Sequence, residues 1–130
     1  MAYTAVHRFA RISARKVRAL ADLIRGKRAD SALDILKYQP HRGARMLERV
    51  LRSAMSNAED RRAADIANLM VVDAQVDGGP MFKRVRPRAR GMAFMVLRRM
   101  AHIRVSVDNK KVKESKVKES KGKENSKSAT

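Results

Sequence analysis

The side chains with the most evident chemistry are basic ones that stand together in a stretch without acidic residues. No Asp or Glu occurs between Asp77 and Asp108. The basic residues of that stretch are Lys83, Arg84, Arg86, Arg88, Arg90, Arg98, Arg99 and Arg104. Arginine forms paired hydrogen bonds with phosphate oxygens, whereas a surface that is merely solvated mixes both signs of charge. The stretch therefore predicts contact with the phosphates of a polyanion, and a solvated basic face is the alternative.

A second basic set lies near the amino terminus. Its members are Arg8, Arg11, Ser13, Lys16 and Arg18. On a helix, Lys16 and Arg18 do not share the face of Val17, so exposure to solvent alone would also explain them. For this set, phosphate contact and simple exposure therefore both remain open from the residues alone.

Nothing in the sequence points to catalysis, to a metal site or to a cofactor. His7, His41 and His102 are scattered, whereas a zinc site needs clustered ligands. The chain has no cysteine, which excludes disulfides and thiolate ligands. Asp73 and Asp77 fall on one face of a predicted strand, and we expect them to pair with basic side chains. The sequence therefore predicts a protein that is not an enzyme.

Length and composition limit the number of domains and the kind of partner. The chain has 130 residues, enough for one domain, and a formal net charge of +18. Aromatic residues make up 4%, which is too few for base stacking to dominate. The longest apolar run, 92–97, is far too short to span a bilayer, so no membrane partner is predicted. Nucleic acid is the commonest partner of a chain this basic.

The composition changes after Asn109. Residues 110–130 contain eight Lys and three Glu, and the unit Val-Lys-Glu-Ser-Lys repeats there. Such a segment cannot bury enough apolar surface to offset the entropy of ordering its backbone. We therefore expect an RNA-binding domain over 1–109 and a basic disordered tail over 110–130, with a diffuse phosphate-binding role for the tail as the alternative.

Hydrophobic spacing predicts a short edge strand and three helices in the first half of the chain. The strand covers 3–9. The first helix begins after Ser13, which can cap it, and ends at Gly26, where a left-handed residue is favoured. The second helix covers about 30–38, and the third covers about 42–60 with a core stripe at steps of three and four, formed by Met46, Leu47, Val50, Leu51, Ala54, Met55 and Ala58.

The second half predicts a long antiparallel hairpin. One strand covers 69–76 and ends at Gly78-Gly79-Pro80, and the other covers 94–107, with the basic segment 83–90 as the turn between them. The hairpin, at about 78–104, carries many like charges and few apolar residues. Since two-stranded hairpins are marginal alone in water, we expect it to be inserted into folded RNA.

Short motifs in order along the chain resemble one family. They include Lys16-Val17-Arg18, 21–27, 32–36, Asn57-Ala58-Glu59, Gly79-Pro80, Lys83-Arg84, Pro87-Arg88-Ala89 with Gly91, and His102-Ile103. They are similar to the large-ribosomal-subunit protein twenty-two family, the universal protein of the peptide exit tunnel, of bacterial type. The resemblance runs from about Ala5 to Val107.

The resemblance implies an α+β fold, with three helices packed on a small antiparallel sheet and a long protruding β-hairpin. It implies a structural protein of the cytoplasmic ribosome that binds 23S-type RNA and supports early subunit assembly. Its body would lie near the tunnel exit, with the hairpin lining the tunnel. Implied partners are large-subunit RNA, neighbouring ribosomal proteins and the nascent polypeptide.

The family also implies site residues. Those for RNA are Arg8, Arg11, Ser13, Lys16, Arg18, Arg25, Lys27, Lys83, Arg84, Arg86, Arg88, Arg98, Arg99 and His102. Those at the tunnel-lining tip are Phe82, Lys83, Arg84, Arg88, Ala89, Arg90 and Gly91. The chain departs from the family at Met92, where Arg is usual, and at Met100-Ala101, where Thr-Ser is usual and where we expect two hydroxyl donors to RNA to be lost.

Two other functions are the alternatives to a ribosomal RNA-binding protein. They are a DNA-compacting protein and a membrane-surface protein.

Overall fold

The computed structural model describes residues 1–109, in which three helices pack against a three-stranded antiparallel sheet. The elements in chain order are β1 (Tyr3–Ala10), α1 (Ala14–Ile24), α2 (Ala29–Tyr38), α3 (Arg42–Asp60), a 3₁₀ turn (Ile66–Asn68), β2 (Met70–Pro87), a second 3₁₀ turn (Ala89–Gly91) and β3 (Ala93–Asp108). The strand order β1-β3-β2 leaves β1 at one edge, as predicted. The predicted α+β class is confirmed, whereas the predicted tail over 110–130 lies outside the described residues.

The core lies between the helices and one face of the sheet. The apolar stripe of α3 is buried at Leu47, Val50, Leu51, Ala54 and Ala58. Met46 and Met55 are partly buried and pack against this core, so the predicted stripe is confirmed. The sheet contributes alternate residues of β3, from Ala101 to Val107. No core residue falls between Val76 and Ala101, so the hairpin contributes nothing to the core of the body.

The ends of α1 follow the sequence signals in part. Ser13 stands at the N-cap with extended backbone, yet its side chain makes no capping hydrogen bond. At the other end Gly26 adopts a φ of 80°, the left-handed conformation that its position predicted. The Gly26 N–H donates to the carbonyl of Val71 at 2.9 Å, so this turn also joins α1 to the outer edge of β2.

Strand β2 does not end at Gly78-Gly79-Pro80, which corrects the sequence prediction. It continues to Pro87, and residues 83–87 are therefore strand rather than turn. The physical reason is a β-bulge: Gly78 pairs with Ala101 and Met81 with Arg99, so Gly79 and Pro80 together oppose one residue of β3. A bulge accommodates a glycine and a proline without ending the pairing.

The hairpin leaves the body where β1 ends. The last pair of β1 joins Ala10 to Ala101, and beyond it only β2 and β3 remain paired. We call residues 79–100 the hairpin arm. Its tip is the turn Ala89–Gly91, where Arg90 and Gly91 both have positive φ. At about 3.3 Å per residue, the arm extends about 30 Å from the sheet.

One arginine of α3 terminates α2. A single guanidinium nitrogen of Arg45 donates to the carbonyls of Leu36, Lys37 and Gln39 at 2.8–2.9 Å. The last carbonyls of a helix lack their regular i+4 backbone partners, and of these three the Leu36 carbonyl also accepts the N–H of Gln39 at 3.3 Å. We expect Arg45→Gln to lower the free energy of unfolding by about 1–3 kcal/mol, measured by urea denaturation. The control is Arg49→Gln, an exposed arginine one turn further along α3, and an equal loss in both variants would contradict this role.

Candidate nucleic-acid interface

The hairpin arm has two chemically different faces. Side chains directly opposite each other on paired strands share a face, and successive residues alternate between faces. The pairs Phe82–Arg98, Arg84–Val96 and Arg86–Phe94 therefore lie on one side. We call this side the arginine face, because three of its six members are arginines. Its phenylalanines supply flat apolar rings among them.

The opposite side of the arm is mainly apolar. Its pairs are Met81–Arg99, Lys83–Leu97, Val85–Met95 and Pro87–Ala93. We call this side the apolar face. All residues from 81 to 95 are exposed, including Val85 at 66% and Met95 at 59%. The alternation along β2 is visible in the sequence, but the partners on β3 are not, because they depend on the register after the bulge.

The tip and the root of the arm carry the remaining cations. Arg88 directly precedes the tip and Arg90 lies within it, while Arg104 lies on the body side of the root. On the arginine face the Arg84 guanidinium lies 5.1 Å from the centroid of the Phe82 ring, within cation–π range. On the apolar face Arg99 donates to the sulfur of Met81 at 3.3 Å. These contacts orient two of the cations before any ligand binds.

A groove at the root of the arm brings the two predicted basic sets together. Its basic lining residues are Arg11, Lys16, Arg42, Arg84, Arg98 and Arg99, and Ser13 and Phe82 also line it. The groove thus collects cations from the start of α1, from the start of α3 and from both strands of the arm. Within residues 1–109, no acidic residue lines it. We call it the root groove.

A second groove shares Ser13, Arg99 and Met100 with the root groove. Arg15 and Arg18 of α1 line it together with Gly78 and Gly79 of the β2 bulge. Here too, the lining residues from the described part of the chain include no Asp or Glu. Sequence reasoning missed Arg15 here and Arg42 in the root groove. Arg15 stands beside a residue that was identified, whereas Arg42 carried no signal except its place as the first residue of α3.

Some of the predicted site residues hold the fold together. Arg18 donates through Nε to the carbonyl of Val76 at 3.0 Å. Arg25 donates to the carbonyl of Ala74 and to the carboxylate of Asp22. Both arginines therefore occupy carbonyls on the outer edge of β2, an edge that would otherwise be open to pairing. Lys27 is exposed in the loop after α1 and lines neither groove.

The remaining predicted residues lie around the root of the arm. The Arg8 guanidinium lies 5.4 Å from the centroid of the Phe9 ring. His102 is partly buried, and its Nδ1 accepts a hydrogen bond from the N–H of Phe9 at 3.0 Å. Arg86 and Arg88 lie beyond the grooves along the arm. The structure thus joins the amino-terminal and hairpin sets at one place and leaves the tip as a separate cluster.

Two expectations from the sequence are wrong. Within residues 1–109, neither Asp73 nor Asp77 forms an ion pair, and the register places Ser106 and His102 opposite them rather than a lysine or an arginine. The side chain at Ala101 is fully buried between the strands and the helices. A hydroxyl at that position would therefore face the core and could not donate to RNA, so the expectation is wrong for position 101, whereas for Met100 it stays a prediction.

Other kinds of site are not formed by the part of the chain that the structure describes. Over residues 1–109, no three His, Asp or Glu side chains come close enough to share a metal ion. None of the helices described here combines the length and the apolar character needed to cross a bilayer. The charged grooves and the arginine face are therefore the candidate functional surfaces of these residues.

Comparison with known proteins agrees with the motif resemblance. The family described as ribosomal protein L22p/L17e matches residues 5–108. A large ribosomal subunit protein uL22 from Rhodopirellula baltica is 59% identical over 110 residues, which cover 81% of this chain and 92% of the relative. A protein of the same name from Caldicellulosiruptor saccharolyticus is 49% identical over 102 residues, covering 78% and 84%. These names describe ribosomal proteins, not enzymes, and the chain belongs to the ribosomal protein L22p/L17e family.

Proposed function

We propose that the chain is a structural component of the large ribosomal subunit and binds its RNA through the root groove, the second groove and the arginine face. The root groove carries the proposal. Six cations from the start of α1, the start of α3 and both strands of the arm converge there, and none of the described residues that line it is acidic. These like charges repel one another in the free protein, and bound phosphates would offset that repulsion. Membership of a ribosomal protein family supports large-subunit ribosomal RNA as that polyanion.

The mode of binding follows from the shape of the interface. In the double-stranded parts of a folded RNA the deep major groove is too narrow for side chains to read base edges, so a protein contacts mainly the phosphates and the 2′-hydroxyls of the shallow minor groove. Arginines on a rigid two-stranded arm can reach phosphates of several RNA segments at once, while the grooves hold RNA at the foot of the arm. We expect recognition of tertiary shape, with little direct recognition of base sequence. Binding at several RNA segments also supports a role early in subunit assembly.

The apolar face of the arm suits a different contact. Met81, Val85, Met95 and Leu97 offer phosphates nothing, yet they are exposed on the free protein. Neighbouring ribosomal proteins and the nascent polypeptide are the partners that the family implies, and both present apolar surface. We therefore propose that the apolar face contacts these partners and that the body lies near the tunnel exit. The tip, with Arg88, Arg90 and Gly91, lines the tunnel wall.

Individual residues contribute unequally to this proposal. Arg11, Lys16, Arg84, Arg98 and Arg99 are the best-supported RNA contacts, because the structure gathers them in the root groove. Arg42 and Arg15 join them. Arg18 and Arg25 give part of their hydrogen-bonding capacity to β2, so we assign them a weaker role. The division of the chain into an RNA-binding domain over 1–109 and a basic tail over 110–130 remains part of the proposal.

Crosslinking of the purified full-length protein to total cellular RNA at near-physiological salt tests the function. We expect adducts at a few positions of large-subunit RNA, several of them attached between Lys83 and Arg99. A DNA-compacting protein would bind any duplex, so competition with duplex DNA at equal phosphate concentration serves as the control. Crosslinks spread over all RNAs in proportion to their abundance would contradict the proposal. Binding to vesicles of anionic lipid in preference to RNA would favour the membrane-surface alternative.

A further inference from the structure

Two β-bulges flank β3 at the root of the arm. On one side, His7 pairs with Ile103 and Ala10 with Ala101, so Arg8 and Phe9 together oppose His102. On the other side, Gly79 and Pro80 together oppose Met100. Bulges bend a strand and increase its twist. The pair of bulges therefore sets the direction in which the arm leaves the body.

The imidazole of His102 lies between these bulges. Its Nδ1 accepts the N–H of Phe9 at 3.0 Å, and the two rings meet edge to face, with centroids 4.9 Å apart at 83°. Its other edge faces the second bulge, because a Cβ added to Gly79 would lie 3.3 Å from Nε2 and 3.4 Å from Cε1. One side chain thus contacts the bulged residues of both neighbouring strands. A side chain at position 79 would press on the imidazole, so the glycine favours this close approach on the β2 side.

The first bulge needs such a partner. Phe9 has a φ of 57°, in the left-handed region that a bulky residue rarely adopts. Its N–H has left the regular pairing between β1 and β3, and a backbone donor without a partner is destabilising. His102 supplies the acceptor, and since Nδ1 accepts, the proton of the neutral ring lies on Nε2. The imidazole therefore stabilises a conformation that the strand pairing alone does not.

We propose that His102 is a positioning residue that fixes the direction of the hairpin arm by bridging the two bulges. It does so from inside the protein rather than by contact with RNA. Arg8 stacks on Phe9 and Arg11 follows it, so the same contact also places the amino-terminal basic residues beside the root groove. The effect of His102 on the direction of the arm is a property of the free protein, whereas the effect of that direction on RNA binding rests on the proposed function.

The direction of the arm can be measured without RNA. The chain has no cysteine, so spin labels attached to Ser53→Cys on α3 and Met92→Cys beyond the tip report the distance between body and arm. Pulsed electron paramagnetic resonance should give one narrow distance distribution for this parent protein. Adding His102→Ala should broaden or shift the distribution. The Phe9 amide, followed by NMR, should exchange about tenfold faster with solvent.

Three further variants make the test decisive. His102→Asn can place its amide oxygen where Nδ1 stood, and it should restore the slow exchange of Phe9 and much of the narrow distribution. His102→Phe keeps a ring without an acceptor, and it replaces the alanine variant should that one fail to fold. Asn57→Ala is the control, since Asn57 donates to the Thr4 carbonyl at 3.1 Å and anchors β1 far from the arm. An unchanged distance distribution in a folded alanine or phenylalanine variant would overturn the proposal, even if RNA binding proves correct.

Discussion

Replacement of Arg84, Arg86 and Arg98 by glutamine should weaken binding to large-subunit RNA on the order of a hundredfold at about 0.15 M salt. Each phosphate contact contributes roughly 0.7–0.9 to the slope of log affinity against log salt concentration. Between about 1 M salt, where this contribution vanishes, and 0.15 M, three contacts amount to about two log units. Glutamine keeps much of the side-chain length, so the change removes charge with little loss of packing.

The measurement is a salt titration of the binding constant with an isolated large-subunit RNA. Besides the loss of affinity, the slope should fall by about 2–2.7 for the triple variant. The matched control replaces Lys37, Arg49 and Arg61 by glutamine, which removes the same charge from exposed positions outside the grooves and the arm. Equal losses in both variants would show that net charge binds the RNA, and that the arginine face has no special part in it.

The helices were predictable because their signals are local. The apolar residues of α3 repeat at steps of three and four, and the observed limits Arg42–Asp60 coincide with those of the pattern. Pro40 precedes that helix and Gly26 follows α1, and each acts through its own backbone preferences. Information of this kind is contained within a few residues, so no knowledge of the tertiary structure is needed to use it.

The strands were harder to predict because pairing joins distant residues. Gly78-Gly79-Pro80 is a strong turn signal by itself, yet the long strand β3 lies alongside and the segment becomes a bulge in β2. The two faces of the arm depend on which residue of β3 stands opposite each residue of β2. A shift of one position would move Arg98 to the apolar face.

The candidate site shows the same division. Arg84 and Arg98 were identified from the acid-free stretch, since their number and residue type already indicate phosphate contact. That Arg18 bonds to Val76 and Arg25 to Ala74 is not visible in the sequence, because the partners are 58 and 49 positions apart. For the same reason the sequence could not place Arg42 beside the arm. Residue type indicates what a side chain can bind, whereas the fold decides whether that capacity is already used.

Replacement of one buried leucine should destabilise the body more than removal of most of the arm. Leu51 is fully buried in α3, and Leu51→Ala should lower the free energy of unfolding by about 2–5 kcal/mol through lost contacts and the cavity left behind. Deletion of 82–98 removes no core residue. Met81 and Arg99 pair directly, so an Asn-Gly turn can join them in a two-residue hairpin loop.

We therefore expect the arm deletion to keep a single cooperative unfolding transition, with a free energy of unfolding within about 1 kcal/mol of the parent protein. Urea denaturation followed by circular dichroism measures both variants on the same scale. The deletion should nevertheless bind large-subunit RNA more weakly than the triple glutamine variant, because it also removes Lys83, Arg88 and Arg90. Loss of the cooperative transition on deletion would show that the arm stabilises the body. In that case the exposed arm would contribute to folding as well as to binding, and its effect on RNA affinity could no longer be assigned to lost contacts alone.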